Sequence, residues 1–373
     1  MHRSRETPRE IRRIAVYIDF NIALEYKSAV RAGRDGLIMA QASSKLSRDM
    51  SGPVKHRFNL DHYRSLLENL ESPDIRVTDL ADAGKFLGEL LLVLEIRELF
   101  HESYSTLGSS EGLRLRVHCK DDVTKRLPWE FARIDMGDGC EFTPLAINPK
   151  LSLARYEEVR FPPPRPELRS ELVVSSLDAG RAGGKSYVDL PIDSLDAPRR
   201  YDALPVQVLS VDPPTKESLN AALRGQRVDI FHFWGHGERS KGAGSLPGLI
   251  LDYPDGRGAD VLTGADLAPI LDQAGVSLAV LSACHTGEHV PIQHKSGVAQ
   301  ALVHAGIPIV VAMQHQIDVT HAVEFNKRFY SSLFSGATVD EAVSRGRIRL
   351  HEIGAHYGRP VLYHRSDSGA FLT

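Results

Sequence analysis

The chain has 373 residues, a formal net charge of -3, 42% hydrophobic residues and 25% charged ones. This is enough apolar material for a sizeable core in one or two domains, and it excludes a disordered or fibrous chain. The nearly balanced charge excludes a global attraction to nucleic acid or anionic lipid, and no apolar run approaches the ~20 residues of a membrane span.

The basic N-terminus, "HRSRETPREIRR", is broken by two glutamates and reads as a solvated tail without the apolar stretch of a signal peptide. Strand patterns follow at 11–20 and 36–43, and helical periodicity at 61–70 and 80–100. "LRLRVHC" (113–119) alternates strictly, with Leu113, Leu115, Val117 and Cys119 on one face, so Cys119 is expected in the core. Cys140 lies in the turn-like "MGDGC". The three cysteines, Cys119, Cys140 and Cys284, are odd in number and far apart. That spacing argues against a disulfide framework and for a reducing, cytoplasmic setting.

The prolines of "RFPPPRPE" (160–167) favour an extended connector, and a boundary is expected there, between an N-terminal α/β region (1–165) and a second unit (166–373). Beyond it, β-rich runs at 171–177, 205–211, 228–234, 276–282 and 307–313 alternate with helical patterns at 215–224, 264–273 and 295–305. Such alternation predicts a mostly parallel sheet covered on both faces. Gly306 stops a helix before the last of these strands. Thr338 and Glu341 have the T-x-x-E spacing of a capping box opening a helix over 339–352.

In open parallel sheets, reactive groups collect at the carboxyl ends of the strands. The run at 228–234 leads into "GHG", where His236 sits between Gly235 and Gly237, and the run at 276–282 leads into Ala283 and Cys284. One reading is a Cys-His dyad, because a thiol of pKa near ~8.5 needs a neighbouring imidazole to become a nucleophile at neutral pH. The flanking glycines would let backbone approach a substrate and leave amides available to an oxyanion. The other reading is a buried structural cysteine and a turn histidine. The histidine precedes the cysteine by about the 50 residues of the caspase pattern, although "SAC" does not match the local caspase signature.

Other patterns are weaker. "AGRAGGKS" (179–186) has alanine at the first glycine position of a phosphate-binding loop, and "YVDLP" follows it instead of a helix. His232 and His236, on a strand, stand ~13 Å apart at ~3.3 Å per residue, too far to share an ion. No metal or other cofactor is expected. Trp129 and Trp234 are expected in the core.

"FHFWGHGE" and "LSACHTGE", in this order, resemble the signature blocks of CHAT-domain peptidases, relatives of caspases and separases. "LRLRVHCKDDVTKRLPWEFARI" (113–134), "PPTKESLNAAL" and "PIVVAMQHQID" resemble further blocks of that family, and the likeness runs from roughly residue 75 to the C-terminus. It implies a caspase-like three-layer α/β/α sandwich over 166–373, with residues 1–165 a noncatalytic part of the same CHAT unit. It further implies a cysteine endopeptidase with His236 as general base, Cys284 as nucleophile, and the backbone amides of Gly237 and Cys284 as oxyanion donors. Asp318 aligns with an aspartate of separase-like motifs that would favour Arg or Lys before the cleaved bond; it also stands just before a helical pattern, where aspartate is an ordinary N-cap. His285, after the cysteine, either competes for the thiolate or points to solvent. The implied partners are a protein or peptide substrate and an activating or sensor partner in bacterial defence or cell death. The loops 238–248 and 288–297 would be ordered on activation, and no nucleic acid or membrane is involved. The competing class is a catalytically silent scaffold or adaptor of the same fold.

Overall fold

The computed structural model describes residues 16–28, 35–47, 50–59, 70, 77–136, 142–157, 172–179, 206–238, 247–253, 259–283, 297–354 and 356–365. Strands β1 (Val16–Ser28), β2 (Asp35–Ser44) and β3 (Met50–Asn59) open the chain as an antiparallel meander. Two helices follow, α1 (Val77–Leu91) and α2 (Leu94–Ser105). The 80–100 pattern reads as one helix, but Leu94 adopts φ 23° and the chain turns a corner there. Unbroken apolar spacing across "LLLVLEI" hides the corner, because both helices bury their stripes in one core.

Next come β4 (Glu111–Cys119), the short helix α3 (Asp122–Arg126), the two-residue strands β5 (Arg133–Ile134) and β6 (Thr143–Pro144), and β7 (Leu151–Arg155). After residue 171 the chain alternates: β8 (Leu172–Asp178), β9 (Val206–Val211), α4 (Lys216–Leu223), β10 (Ile230–Trp234), β11 (Gly237–Glu238), β12 (Gly248–Asp252), β13 (Ala259–Thr263), α5 (Gly264–Gln273) and β14 (Leu278–Ser282). It then forms α6 (Val298–Ala305), β15 (Ile309–Met313), α7 (Val319–Phe334), α8 (Val339–Glu352) and β16 (Pro360–His364). The strands expected after the proline-rich stretch all form within two residues of their predicted bounds. The helical pattern at 61–70 apart from Leu70, together with Cys140, the proline-rich connector and the loop at 180–186, lies outside the described residues.

Eleven strands make one sheet in the order β3-β2-β1-β4-β7-β16-β15-β14-β10-β8-β9. Strands β9, β8, β10, β14 and β15 are parallel to one another. β16 runs antiparallel to β15 and parallel to β7, and β1, β4 and β7 are mutually parallel, so the two blocks run in opposite senses. The fold is α/β with a large, mostly parallel sheet.

Alternation along β10 sends Ile230 and Trp234 into one core and Phe231 and Phe233 into the other. The first core holds Phe325, Phe329 and Leu333 of α7 with Val343 and Leu350 of α8; the second holds Leu219 of α4, Leu267 of α5 and Leu302 of α6. Helices therefore cover both faces of the parallel block. Gly306 ends α6 at φ 114°, the left-handed cap expected of it. Thr338 caps the amide of Glu341 at 3.3 Å, while the Glu341 carboxylate lies 2.5 Å from Arg345, so only half of the expected capping box is present.

A buried ionic cluster ties the blocks together. Arg114 on β4 holds Asp340 on α8 through two bonds of 2.9 and 2.7 Å, and also donates to Asp19 on β1 at 3.0 Å. Ser152 on β7 donates to the same Asp340 at 2.7 Å. A second knot joins Glu130 of "LPWE" to Arg155 (2.9 and 2.7 Å) and to Gln314, just past β15, at 3.1 Å. No helix among the described residues is long and apolar enough to cross a membrane.

Candidate functional site

β10 and β14 are parallel neighbours in register from Ile230↔Leu278 to Trp234↔Ser282. Both strands are buried throughout, because helices shield each face and their sequences are almost wholly apolar. They end level, and the Gly235 amide donates to the Ser282 carbonyl at 3.4 Å. The residues that follow, Gly235 and His236 on one side and Ala283 on the other, leave the sheet at the same edge. Gly235 is a glycine for lack of room: a Cβ there would lie 2.9 Å from the Phe233 ring and 3.2 Å from the Ala179 methyl.

His236 is half-buried, and its carbonyl accepts from the Ile250 amide at 2.9 Å. That bond makes Gly237↔Leu249 the non-hydrogen-bonded pair of the β11–β12 ladder, so the Gly237 amide turns away from β12. Cys284 follows Ala283 and lies outside the described residues, as do His285 and the loop segments 239–246 and 288–296. The backbone of β12 and β13 builds a small antiparallel sheet beside His236 that the sequence analysis leaves unassigned apart from Gly248, the end of the loop expected at 238–248.

Asp318 caps α7, accepting from the Thr320 amide at 2.8 Å and the Thr320 hydroxyl at 2.6 Å. Those bonds hold its carboxyl below the usual range, so it is ionised, and the side chain is exposed near the end of β15. Cys119 is in the core, as its place in the alternation requires, and burial pushes its thiol up to about 12. It is no nucleophile. Trp129 and Trp234 are buried. His232 points into the core instead of along the edge with His236; its Nδ1 is 2.5 Å from the Tyr330 hydroxyl, and burial lowers its pKa to about 3.

Sequence reasoning missed α7's polar contacts. Asn326 is fully buried and donates to the Ser282 hydroxyl at 2.8 Å. Its only sequence signal is an amide set beside the apolar stripe of Phe325, Phe329 and Leu333. Among the described residues, no group of three His, Cys, Asp or Glu side chains is placed to hold a metal.

A model of the CHAT domain matches residues 109–360. Among solved structures, two of the Saccharomyces cerevisiae separase–securin complex align over 81% and 85% of this chain, at 15% and 14% identity and TM-scores of 0.39 and 0.40. The alignments cover 20% and 21% of those chains, so the present chain spans about a fifth of their length. A methionine gamma lyase from Micromonospora echinospora aligns over 50% of this chain and 44% of its own, at 14% identity and a TM-score of 0.21. No curated protein matches the sequence.

Proposed function

The chain belongs to the CHAT domain family, and from that premise we propose that it is a cysteine endopeptidase using Cys284 and His236. The observation that carries the reading is the level ending of two adjacent parallel strands, Trp234 beside Ser282, one leading to the histidine and the other to the cysteine. A polypeptide lies across this edge. Cys284 gives up its proton to His236 and its sulfur bonds to the substrate carbonyl carbon, while the amides of Gly237 and Cys284 stabilise the oxyanion. The C–N bond then breaks, the leaving amine takes the proton from His236, and water hydrolyses the thioester. The turn of the Gly237 amide away from β12 supports its assignment. Activity depends on a partner or small ligand that orders the loops flanking the site, in a bacterial defence or cell-death pathway, and the protein acts in the cytoplasm.

A peptide-like electrophilic probe tests the dyad directly. Labelling of Cys284 is expected in the wild type and is lost in both Cys284→Ala and His236→Ala; labelling indifferent to His236 would leave a catalytically silent scaffold as the better reading. The ionised, exposed Asp318 fits a pocket for Arg or Lys before the cleaved bond. Asp318→Asn keeps an N-cap side chain and removes the charge. It is expected to abolish a preference for basic residues in a peptide library, and an unchanged cleavage profile would remove Asp318 from the pocket.

A further inference from the structure

One helix reaches both strands that lead to the proposed dyad. Asn326 and Tyr330 are four apart on α7, so they lie one above the other on the same helical face. Asn326 donates to Ser282, the last residue of β14 and two before Cys284. Tyr330 meets His232 on β10, four before His236. All four residues are buried. The backbone bond from Gly235 to Ser282 closes the figure, so helix and two strand ends form one hydrogen-bonded frame.

These polar groups are poor choices for stability. The other amide atom of Asn326, Oδ1, and the other ring nitrogen of His232, Nε2, are buried with no hydrogen-bond partner among the described residues. A buried polar atom without a partner carries its full desolvation penalty, whereas apolar side chains of similar shape would fill the same space without it. Directional bonds do what apolar packing does less well: they fix the strand ends in both translation and rotation. A dyad needs that, because proton transfer requires heavy atoms about 2.6–3.2 Å apart.

We infer that α7 is a positioning element, with Asn326 and Tyr330 as the positioning residues that set the spacing between the chain segments bearing Cys284 and His236. Neither side chain touches substrate. The inference rests on the dyad reading above, and a measurement that needs no substrate separates the two.

In the full-length protein, the rate at which iodoacetamide alkylates Cys284 is followed against pH by mass spectrometry of the peptide that contains it. The wild type is expected to react at pH 7 as a thiolate paired with His236, and His236→Ala to react far more slowly. Asn326→Leu and Tyr330→Phe are each expected to lower the pH 7 rate roughly ten- to hundredfold, the scale of a displacement near 1 Å. They should also raise the pH midpoint of alkylation, and each is expected to lower the melting temperature because it leaves a buried partner, the Ser282 hydroxyl or His232 Nδ1, unsatisfied. A merely structural role would move the melting temperature and leave the midpoint in place. If Asn326→Leu fails to fold, Tyr330→Phe, which removes a single oxygen, and Ser282→Ala carry the test. Wild-type rates and midpoints in these variants, with His236→Ala still slow, would overturn the positioning role and leave the dyad standing. A wild-type rate equal to that of His236→Ala would overturn both.

Discussion

Asp340→Ala is expected to lower the unfolding free energy by about 3–5 kcal/mol, as removal of one partner from a buried ion pair does. Asp340 is fully buried, takes two hydrogen bonds from Arg114 and one from Ser152, and joins helix α8 to strands β4 and β7. Burial alone would raise its carboxyl pKa, but the Arg114 guanidinium overrides that and holds it well below the carboxylate range. Without it Arg114, 2% exposed, keeps Asp19 as its carboxylate partner among the described residues. Arg114→Leu combined with Asp340→Leu is expected to recover most of the loss, since well-packed apolar residues often replace a buried pair without net cost. Denaturant midpoints of the single and double variants check this. A loss below about 1 kcal/mol in Asp340→Ala would show that the cluster is not what fastens α8 to β4.

Acid should destabilise the protein well before its carboxylates titrate. Burial pushes His232 to about 3; His364 is also lowered to about 3, by burial first and by Arg114 second. Both start from about 6.5 in an unfolded chain. Between those values the unfolded state binds a proton at each histidine that the folded state does not, so stability rises with pH and falls as pH drops from 6.5. Each site contributes a slope of about 1.4 kcal/mol per pH unit in that window. Asp340 acts in the same direction, but only below its unfolded value of 3.8. The expected result is a denaturant midpoint that is level above pH 7 and drops steeply between 6.5 and 5. His364→Gln should remove one proton's share of the slope. A midpoint constant from pH 7 to 5 would mean that these imidazoles are not neutral and buried.

β10, β14 and β15 were legible because a strand covered on both faces is a short, largely apolar run, and each run here is bounded by polar or glycine-rich sequence, while the edge strand β9 showed through its β-branched residues. β3 was not, since "MSGPVKHRFN" is an edge strand: proline and cations suit an exposed margin and erase the usual signal. β7 and β16 were missed because serine and arginine, or proline and histidine, interrupt or bound their short apolar runs. Their polar members are buried against partners far away in sequence, as Arg155 is against Glu130, which no local pattern reveals. At the candidate site, His236 stood out because glycines flank it at a strand end. Asn326 and Tyr330 did not, because a polar side chain that bonds across the core looks in sequence like one that faces water.

The position of β16 has a consequence for how the molecule assembles. It follows every other described strand in the chain, yet it sits sixth of eleven in the sheet. During synthesis the earlier strands can pair only as two separate half-sheets, each with a raw margin, until residues 360–364 arrive as the keystone. A chain cut short before them would hold every residue assigned to the chemistry and still lack the join on which its architecture depends.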